Sequence, residues 1–169
     1  VLAGDSYGDR FGSSISLSDD GNTLVAASDS DQENYFKVFK YDGLIWNQLH
    51  QRVDATSDTL SIDGVPSVSL NASGDIVAFG VPSHNGIGKV DLYVEGLGDN
   101  GLAWDHYQEF AGDNDGDLFG YSVSLSGSGF QLAIGAPGGN FVKIFELSEI
   151  HYNDYELSNN GHFTEFSGD

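Results

Sequence analysis

The chain has 169 residues, with 26 Asp and Glu against 6 Lys and Arg, a formal charge of −20, 23 Gly and no Cys. The missing cysteine excludes a disulfide scaffold, a thiol nucleophile and a Cys-ligated metal. The charge excludes a nucleic-acid partner, whose phosphates need cations, and no apolar run approaches the roughly 20 residues that span a bilayer, so membrane insertion of this segment is not expected.

Hydrophobic residues make up 39% of the chain and aromatic residues 12%, enough for a packed core. Asp outnumbers Glu by 19 to 7, and Gly, Ser and Asn are abundant, which is the composition of turns. An all-β protein is expected. In chain order, the first element is a short alternating strand, Ser14–Leu17. A tight turn with Gly21 follows, where glycine supplies the positive φ that hairpins often need. The second strand is Thr23–Ala27 and the third Phe36–Tyr41; Asp42-Gly43 then signals a two-residue hairpin into a fourth strand carrying Ile45-Trp46.

The same order recurs twice. Ser67–Gly80 and Ser122–Gly135 align without a gap on Ser14–Ala27, at spacings of 53 and 55 residues. Third strands follow at Val90–Glu95 and Val142–Leu147, and fourth strands at Ala103-Trp104 and His162-Phe163. A second landmark, Leu2-Ala3-Gly4-Asp5, returns as Phe110-Ala111-Gly112-Asp113 and Phe166-Ser167-Gly168-Asp169. The repeats are therefore set at 1–54, 55–109 and 110–165, with 166–169 opening a further one.

The second strands decide the architecture. Leu-Val-Ala-Ala, Ile-Val-Ala-Phe-Gly and Leu-Ala-Ile-Gly-Ala are continuous apolar runs, whereas a strand with one wet face alternates. Burial on both faces in an antiparallel protein requires each small sheet to lie between two others, as in the radially stacked blades of a β-propeller. A β-sandwich explains the turns but not the regular repetition. The small residues Ala27, Gly80 and Gly135 at the strand ends suit a crowded inner channel.

Gly116-Asp117-Leu118-Phe119-Gly120-Tyr121-Ser122-Val123, followed by Ala133-Ile134-Gly135-Ala136-Pro137, resembles the FG-GAP repeats of integrin α-subunit-like β-propellers. Gly8-Asp9-Arg10-Phe11-Gly12 carries the same pattern, with Ala27-Ser28-Asp29 where Gly-Ala-Pro would stand; the second repeat is degenerate, with Asp63-Gly64-Val65 and Gly80-Val81-Pro82. The resemblance implies a propeller, usually of seven blades and often extracellular. Three blades do not close a ring, since closed propellers have about 4–8. With Val1 first and Gly168-Asp169 last, the chain reads as an excised or mature segment of a longer polypeptide, or as one that completes its ring with other copies.

The resemblance also implies a calcium loop between the first two strands, but Ser18–Asn22, Asn71–Asp75 and Ser126–Gly129 lack the spaced oxygens that calcium wants. The remaining metal candidate is Asp113, Asp115 and Asp117, whose spacing would suit a calcium ion; recurrence of Asp5 and Asp9 at the first and last of these positions favours loop bracing instead. Asn71-Ala72-Ser73 is a glycosylation acceptor pattern on an expected exposed hairpin tip. The five histidines show no ligand spacing, and Trp46, Trp104 and Phe163 share one phase and read as blade core rather than as sugar-stacking platforms. The insertion from Ser148 to His162 carries Tyr152 and Tyr155, candidate anchors for a partner.

No catalytic residue and no cofactor site is assigned. The expected function is a non-enzymatic extracellular or cell-surface interaction module, with protein partners or other copies of the chain. A calcium-dependent adhesion or carbohydrate-binding propeller is the first alternative, and an accessory propeller of a secreted hydrolase the second.

Overall fold

A computed structural model describes residues 1–30, 34–54, 65–96, 103–147 and 163–167. Twelve strands form three separate four-stranded sheets. The first contains β1 (Phe11–Leu17), β2 (Thr23–Ser28), β3 (Tyr35–Tyr41) and β4 (Trp46–Asp54). The second contains β5 (Ser67–Leu70), β6 (Ile76–Val81), β7 (Lys89–Glu95) and β8 (Trp104–Ala111). The third contains β9 (Ser122–Leu125), β10 (Gln131–Ala136), β11 (Phe141–Glu146) and β12 (Phe163–Ser167). Within each sheet the strands lie in chain order and pair antiparallel. Each repeat is thus its own meander. Phe110 and Phe166 stand next to the ends of the last strands of their sheets, paired with Val90 and Val142, so the recurring landmark begins where a sheet closes.

The turns after the first strands share one mechanism. Gly21, Gly74 and Gly129 adopt φ of 70°, 77° and 79°, the left-handed region where glycine has no Cβ penalty. The residue after the recurring leucine (Leu17, Leu70 or Leu125) closes each turn. Ser18 Oγ accepts from the Thr23 amide at 2.9 Å, Ser126 Oγ from the Gln131 amide at 3.0 Å, and Asn71 Oδ1 from the amides of Gly74, Asp75 and Ile76.

The sheets stack through two apolar layers. Val25, Ala27, Phe36 and Val38 of the first sheet meet Val68, Leu70, Val77, Phe79 and Tyr93 of the second. Phe36 lies edge-on to Phe79 and Tyr93, each at 5.2 Å between ring centres, geometry that adds to the area these rings bury. On the opposite face, Ile76, Ala78, Val90, Leu92 and Val94 meet Leu125, Leu132, Ile134 and Ala136 of the third sheet. The continuous apolar run of β6 therefore has both faces buried, as six consecutive buried residues. In β10 only Leu132, Ile134 and Ala136, which face the second sheet, are buried, and Gln131 is exposed.

Between sheets, β5 packs on β1 and β2, and β9 packs on β5 and β6. The first strands therefore lie side by side along one edge of the stack. Serine side chains join them. The amides of Val68 and Leu70 donate to Ser14 Oγ (3.1 Å) and Ser16 Oγ (3.0 Å), and the Leu125 amide donates to Ser69 Oγ (2.9 Å). Ser67 Oγ donates to the Gly120 carbonyl at 2.9 Å. A Cβ on Gly80 would overlap that same carbonyl and Ser67 Oγ, which explains the glycine at this strand end.

Candidate functional site

The loops that enter β1 and β9, and those joining β6 to β7 and β10 to β11, lie at the end of the sheets where the first strands begin: the Ser28 hydroxyl donates to the Asp9 carbonyl, the Gly116 amide to the Gly86 carbonyl and the Gly138 amide to the Asp117 carbonyl. Five of the six basic side chains lie there as well, paired with carboxylates: Arg10 with Asp29, Lys37 with Asp5, Arg52 with Asp5 and Asp54, Lys89 with Asp91 and Glu109, and Lys143 with Asp113.

The first and third sheets build the same bracket. The phenylalanine of each Phe-Gly pair, Phe11 or Phe119, turns back onto its own sheet. There it packs near the aromatic residue two positions after the lysine: Phe39 at 6.2 Å from Phe11, and Phe145 at 6.5 Å from Phe119. The buried lysine of the third strand lies over that phenylalanine, Lys37 at 5.6 Å and Lys143 at 6.0 Å from the ring centre. It also lies over the aromatic residue two positions before it, Tyr35 at 5.7 Å and Phe141 at 5.3 Å. Each ammonium reaches the aspartate of the Gly-Asp landmark, Lys37 to Asp5 at 2.5 Å and Lys143 to Asp113.

The second aspartate of each loop closes it from within. Asp9 Oδ2 accepts from the amides of Asp5 (2.9 Å) and Ser6 (2.8 Å) and from the Tyr35 hydroxyl (2.7 Å). Asp117 Oδ2 accepts from the backbone and side-chain amides of Asn114. The Tyr35 hydroxyl, with help from the loop amides, holds the Asp9 carboxyl below the usual carboxylate range. The Lys37 hydrogen bond does the same for Asp5, while burial raises the Tyr35 phenol. The backbone conforms to this bracket. Gly12 and Gly120 have φ of 91° and 88°, and the residues before each phenylalanine, Arg10 and Leu118, are left-handed at 49° and 56°. Non-glycine residues rarely adopt that region, and finding it at the same phase of two repeats marks a loop shape imposed by its contacts.

The second sheet departs from this plan. Lys89 lies two residues earlier in its strand, and Asp91 occupies the position of Lys37 and Lys143. Asp91 is completely buried; Lys89 Nζ reaches its Oδ2 at 2.8 Å and His106 Nε2 its Oδ1 at 2.9 Å. The His106 ring is half exposed and lies edge-on to Tyr93 at 5.4 Å. Burial, reinforced by the Asp91 charge, pushes the Tyr93 phenol well up. A buried carboxylate holding a half-exposed imidazole is the orienting half of many acid–base sites. Here the carboxylate also neutralises a buried ammonium, which ties it to the packing of the sheets.

The remaining sequence candidates fall in different places. Asp113 is held by Lys143 and Asp117 by Asn114, while Asp115 lies against Gly86 of the neighbouring sheet's loop. Among the described residues no three or more His, Asp or Glu side chains gather around one point in metal-binding fashion. Asn71 is not at an exposed tip: it is 3% exposed, its Nδ2 donates to Ser73 Oγ and Asp75 Oδ1, and its Oδ1 takes three amides. Trp104 is buried between the first two sheets, whereas Trp46 is partly open against Tyr41 at 5.5 Å. Tyr152, Tyr155, His151 and His162 lie outside the described residues. Sequence reasoning missed the Lys–Asp brackets and the Asp91–His106 pair. For the first, a signal was present: Tyr35-x-Lys37-x-Phe39 and Phe141-x-Lys143-x-Phe145 recur in phase.

No protein-family model matches the chain, and no curated protein matches it. Solved structures do. Hydrazine synthase of Kuenenia stuttgartiensis is similar at 17% identity, with 79% of this chain and 39% of that one covered and a TM-score of 0.53. TolB from Acinetobacter baumannii is similar at 15% identity over 95% of this chain and 33% of its own, with a TM-score of 0.51. The β-propeller domain of Swd1 from Myceliophteria thermophila is similar at 11% identity over 92% of this chain and 58% of its own, also with a TM-score of 0.51. The fold is a partial β-propeller. This chain spans less than two thirds of each of these structures.

Proposed function

We propose that the chain is a non-enzymatic structural and interaction module of the FG-GAP, integrin-like kind, placed outside the cell or on its surface, and contributing three blades to a larger propeller. The observation that carries this reading is how the charged groups of the loop end are spent. In two blades a buried lysine and two aspartates lock the entering loop onto its own sheet, so the loops form a firm acidic platform. Residues so engaged are suited to presenting a surface, and loops on a rigid scaffold are where contacts concentrate. The phase of the Phe-Gly pairs supports the FG-GAP assignment, and the assignment in turn supports the extracellular placement.

Surface plasmon resonance of the immobilised chain against extracellular-matrix proteins and glycans tests this reading. Saturable binding that weakens when Asp115 is changed to Lys is the expected result. Turnover of ester, peptide or glycoside substrates that disappears in both Asp91→Asn and His106→Ala would overturn it.

A further inference from the structure

The loop joining β6 to β7 places Asn85 before Gly86 for two conformational reasons. It makes a single 3-10 turn, His84–Gly86, in which Asn85 is exposed and left-handed, with φ 52° and ψ 23°. Asparagine is one of the few residues with a side chain that enter that region readily. Gly86 follows at φ 80°, and a Cβ there would lie 2.3 Å from Asp115 Oδ1 of the loop entering the third blade. Glycine is therefore required by backbone and neighbour alike. It is also the residue that least shields its own nitrogen from the asparagine side chain before it.

Groups suited to a reaction surround this dipeptide. Asn85 Nδ2 donates to His84 Nε2 at 2.9 Å, so a ring nitrogen stands at the amide nitrogen. The Gly86 amide donates to the Ser83 carbonyl at 3.2 Å, the long limit of a hydrogen bond. The turn buries no side chain, so it opens locally at small cost. It also fastens a seam: the Gly86 carbonyl accepts from the Gly116 amide at 2.9 Å and the Ile87 carbonyl from the Phe119 amide at 3.2 Å, tying the second blade to the third. Two other asparagines lack this combination. Asn71 is buried with its Oδ1 taken by three amides, and Ala72 follows it. Asn140 is left-handed at φ 59° like Asn85, but the next nitrogen belongs to bulky Phe141.

We propose that Asn85 is a site of spontaneous deamidation, and that its isoaspartyl product unfastens the second blade's loop from the third's. The Gly86 nitrogen attacks Asn85 Cγ. The N–Cγ bond forms, the Cγ–Nδ2 bond breaks, and the side-chain nitrogen leaves as ammonia with the proton that Gly86 gives up, passed by way of His84 Nε2. Water then opens the succinimide. Addition at Cγ yields aspartate; addition at the backbone carbonyl carbon of residue 85 yields isoaspartate, with the main chain rerouted through Cγ. Either product puts a carboxylate next to the glycine on which Asp115 lies. Isoaspartate also lengthens the main chain by a methylene between residues 85 and 86, which moves the Gly86 carbonyl off the Gly116 amide. The inference does not rest on the binding role proposed above.

Peptide mapping of the folded 169-residue chain, aged in warm, mildly alkaline buffer and labelled with isoaspartyl methyltransferase, tests it. Conversion of the amide to an acid and methyl labelling are expected at Asn85, with Asn71 and Asn140 intact. Asn100-Gly101 and Asn160-Gly161 lie outside the described residues and are scored on their own peptides. His84→Gln is expected to slow conversion at Asn85 several-fold with the melting temperature kept. Hydrogen exchange at the Gly116 amide is expected to quicken several-fold in the purified isoaspartyl form. It is expected to stay unchanged in Asn85→Asp, which adds the charge without lengthening the chain. Asn85 intact in the folded chain over the time in which the urea-unfolded chain converts it, a rate indifferent to His84→Gln, or unaltered Gly116 exchange in the isoaspartyl form overturns the inference.

Discussion

Asp91 is the residue whose environment is most demanding. An isolated carboxylate in an apolar layer is expensive, and a buried ion pair is tolerated only when both partners are present with good geometry. Lys89 at 2.8 Å and His106 at 2.9 Å meet that demand from two sides. Removing Lys89 leaves the carboxylate with the imidazole alone. Lys89→Met is therefore expected to destabilise the fold by about 3–5 kcal/mol in urea denaturation. The double change Lys89→Met/Asp91→Leu is expected to recover most of that loss, because no buried charge is then left without its partner. Additive costs in the double variant would show that the pair matters as packing volume rather than as charge. Asn71 teaches a related point. Its side chain takes three amides of its own turn, which places it inside the hairpin and away from solvent.

At the scale of elements, the first strands carry two jobs on alternate residues. Even-numbered Ser14 and Ser16 face the next blade with hydroxyls, while Ile15 and Leu17 face the other way with apolar side chains, and the pattern repeats at Ser67–Leu70 and Ser122–Leu125. A β-strand puts successive side chains on opposite faces, so this alternation lets four-residue strands join two neighbours at once. Each seam hydrogen bond contributes on the order of 1 kcal/mol, and leaving a buried amide without an acceptor costs about 1–3 kcal/mol. Ser16→Ala and Ser69→Ala act on different seams and share no partner. Each is expected to lower stability by about 1–2 kcal/mol, with the double variant close to the sum, as read from urea midpoints at unchanged slope. A cost much larger than the sum would mean that the three blades unfold through a seam that the two serines share.

For the whole molecule, the charge of −20 and the depressed carboxyls act in opposite directions as pH falls. Repulsion relaxes as carboxylates protonate. The hydrogen-bonded ones, however, are stabilising only while ionised. Asp5 is held low by Lys37, Asp9 by the Tyr35 hydroxyl and loop amides, Asp20 by Ser18 and the Asn22 amide, and Asp42 by the Ile45 and Leu44 amides. Because the folded-state pKa of each is below its unfolded value, their contribution is complete above about pH 4 and is lost as pH falls through the folded values. The melting temperature is expected to drop steeply below about pH 4, and Asp9→Asn/Asp42→Asn is expected to flatten that limb by melting lower than wild type near pH 7 and converging with it in acid. Thermal melts between about pH 6 and about pH 2 check this. An identical acid limb in the double variant would assign the loss to other carboxylates.

The strands and their order were open to reading in the chain itself, because local chemistry dictates them. Glycine four residues past a leucine makes a turn, and an apolar run of five residues needs cover on both faces, which a small antiparallel sheet obtains only between two others. Gly21, Gly74 and Gly129 answer to the turn rule whatever surrounds them, and β6 meets the second rule because a sheet lies on each of its faces. Charged partners are different. Lys37 lies 32 residues from Asp5, Lys143 lies 30 from Asp113, and His106 lies 15 from Asp91. Among 26 carboxylates, nothing local says which one a given cation meets. Only the stacking of sheets and the return of the Phe-Gly loop bring these groups to within a hydrogen bond. The same holds for which apolar faces stay uncovered, since burial is a property of neighbours and not of the residues that carry it.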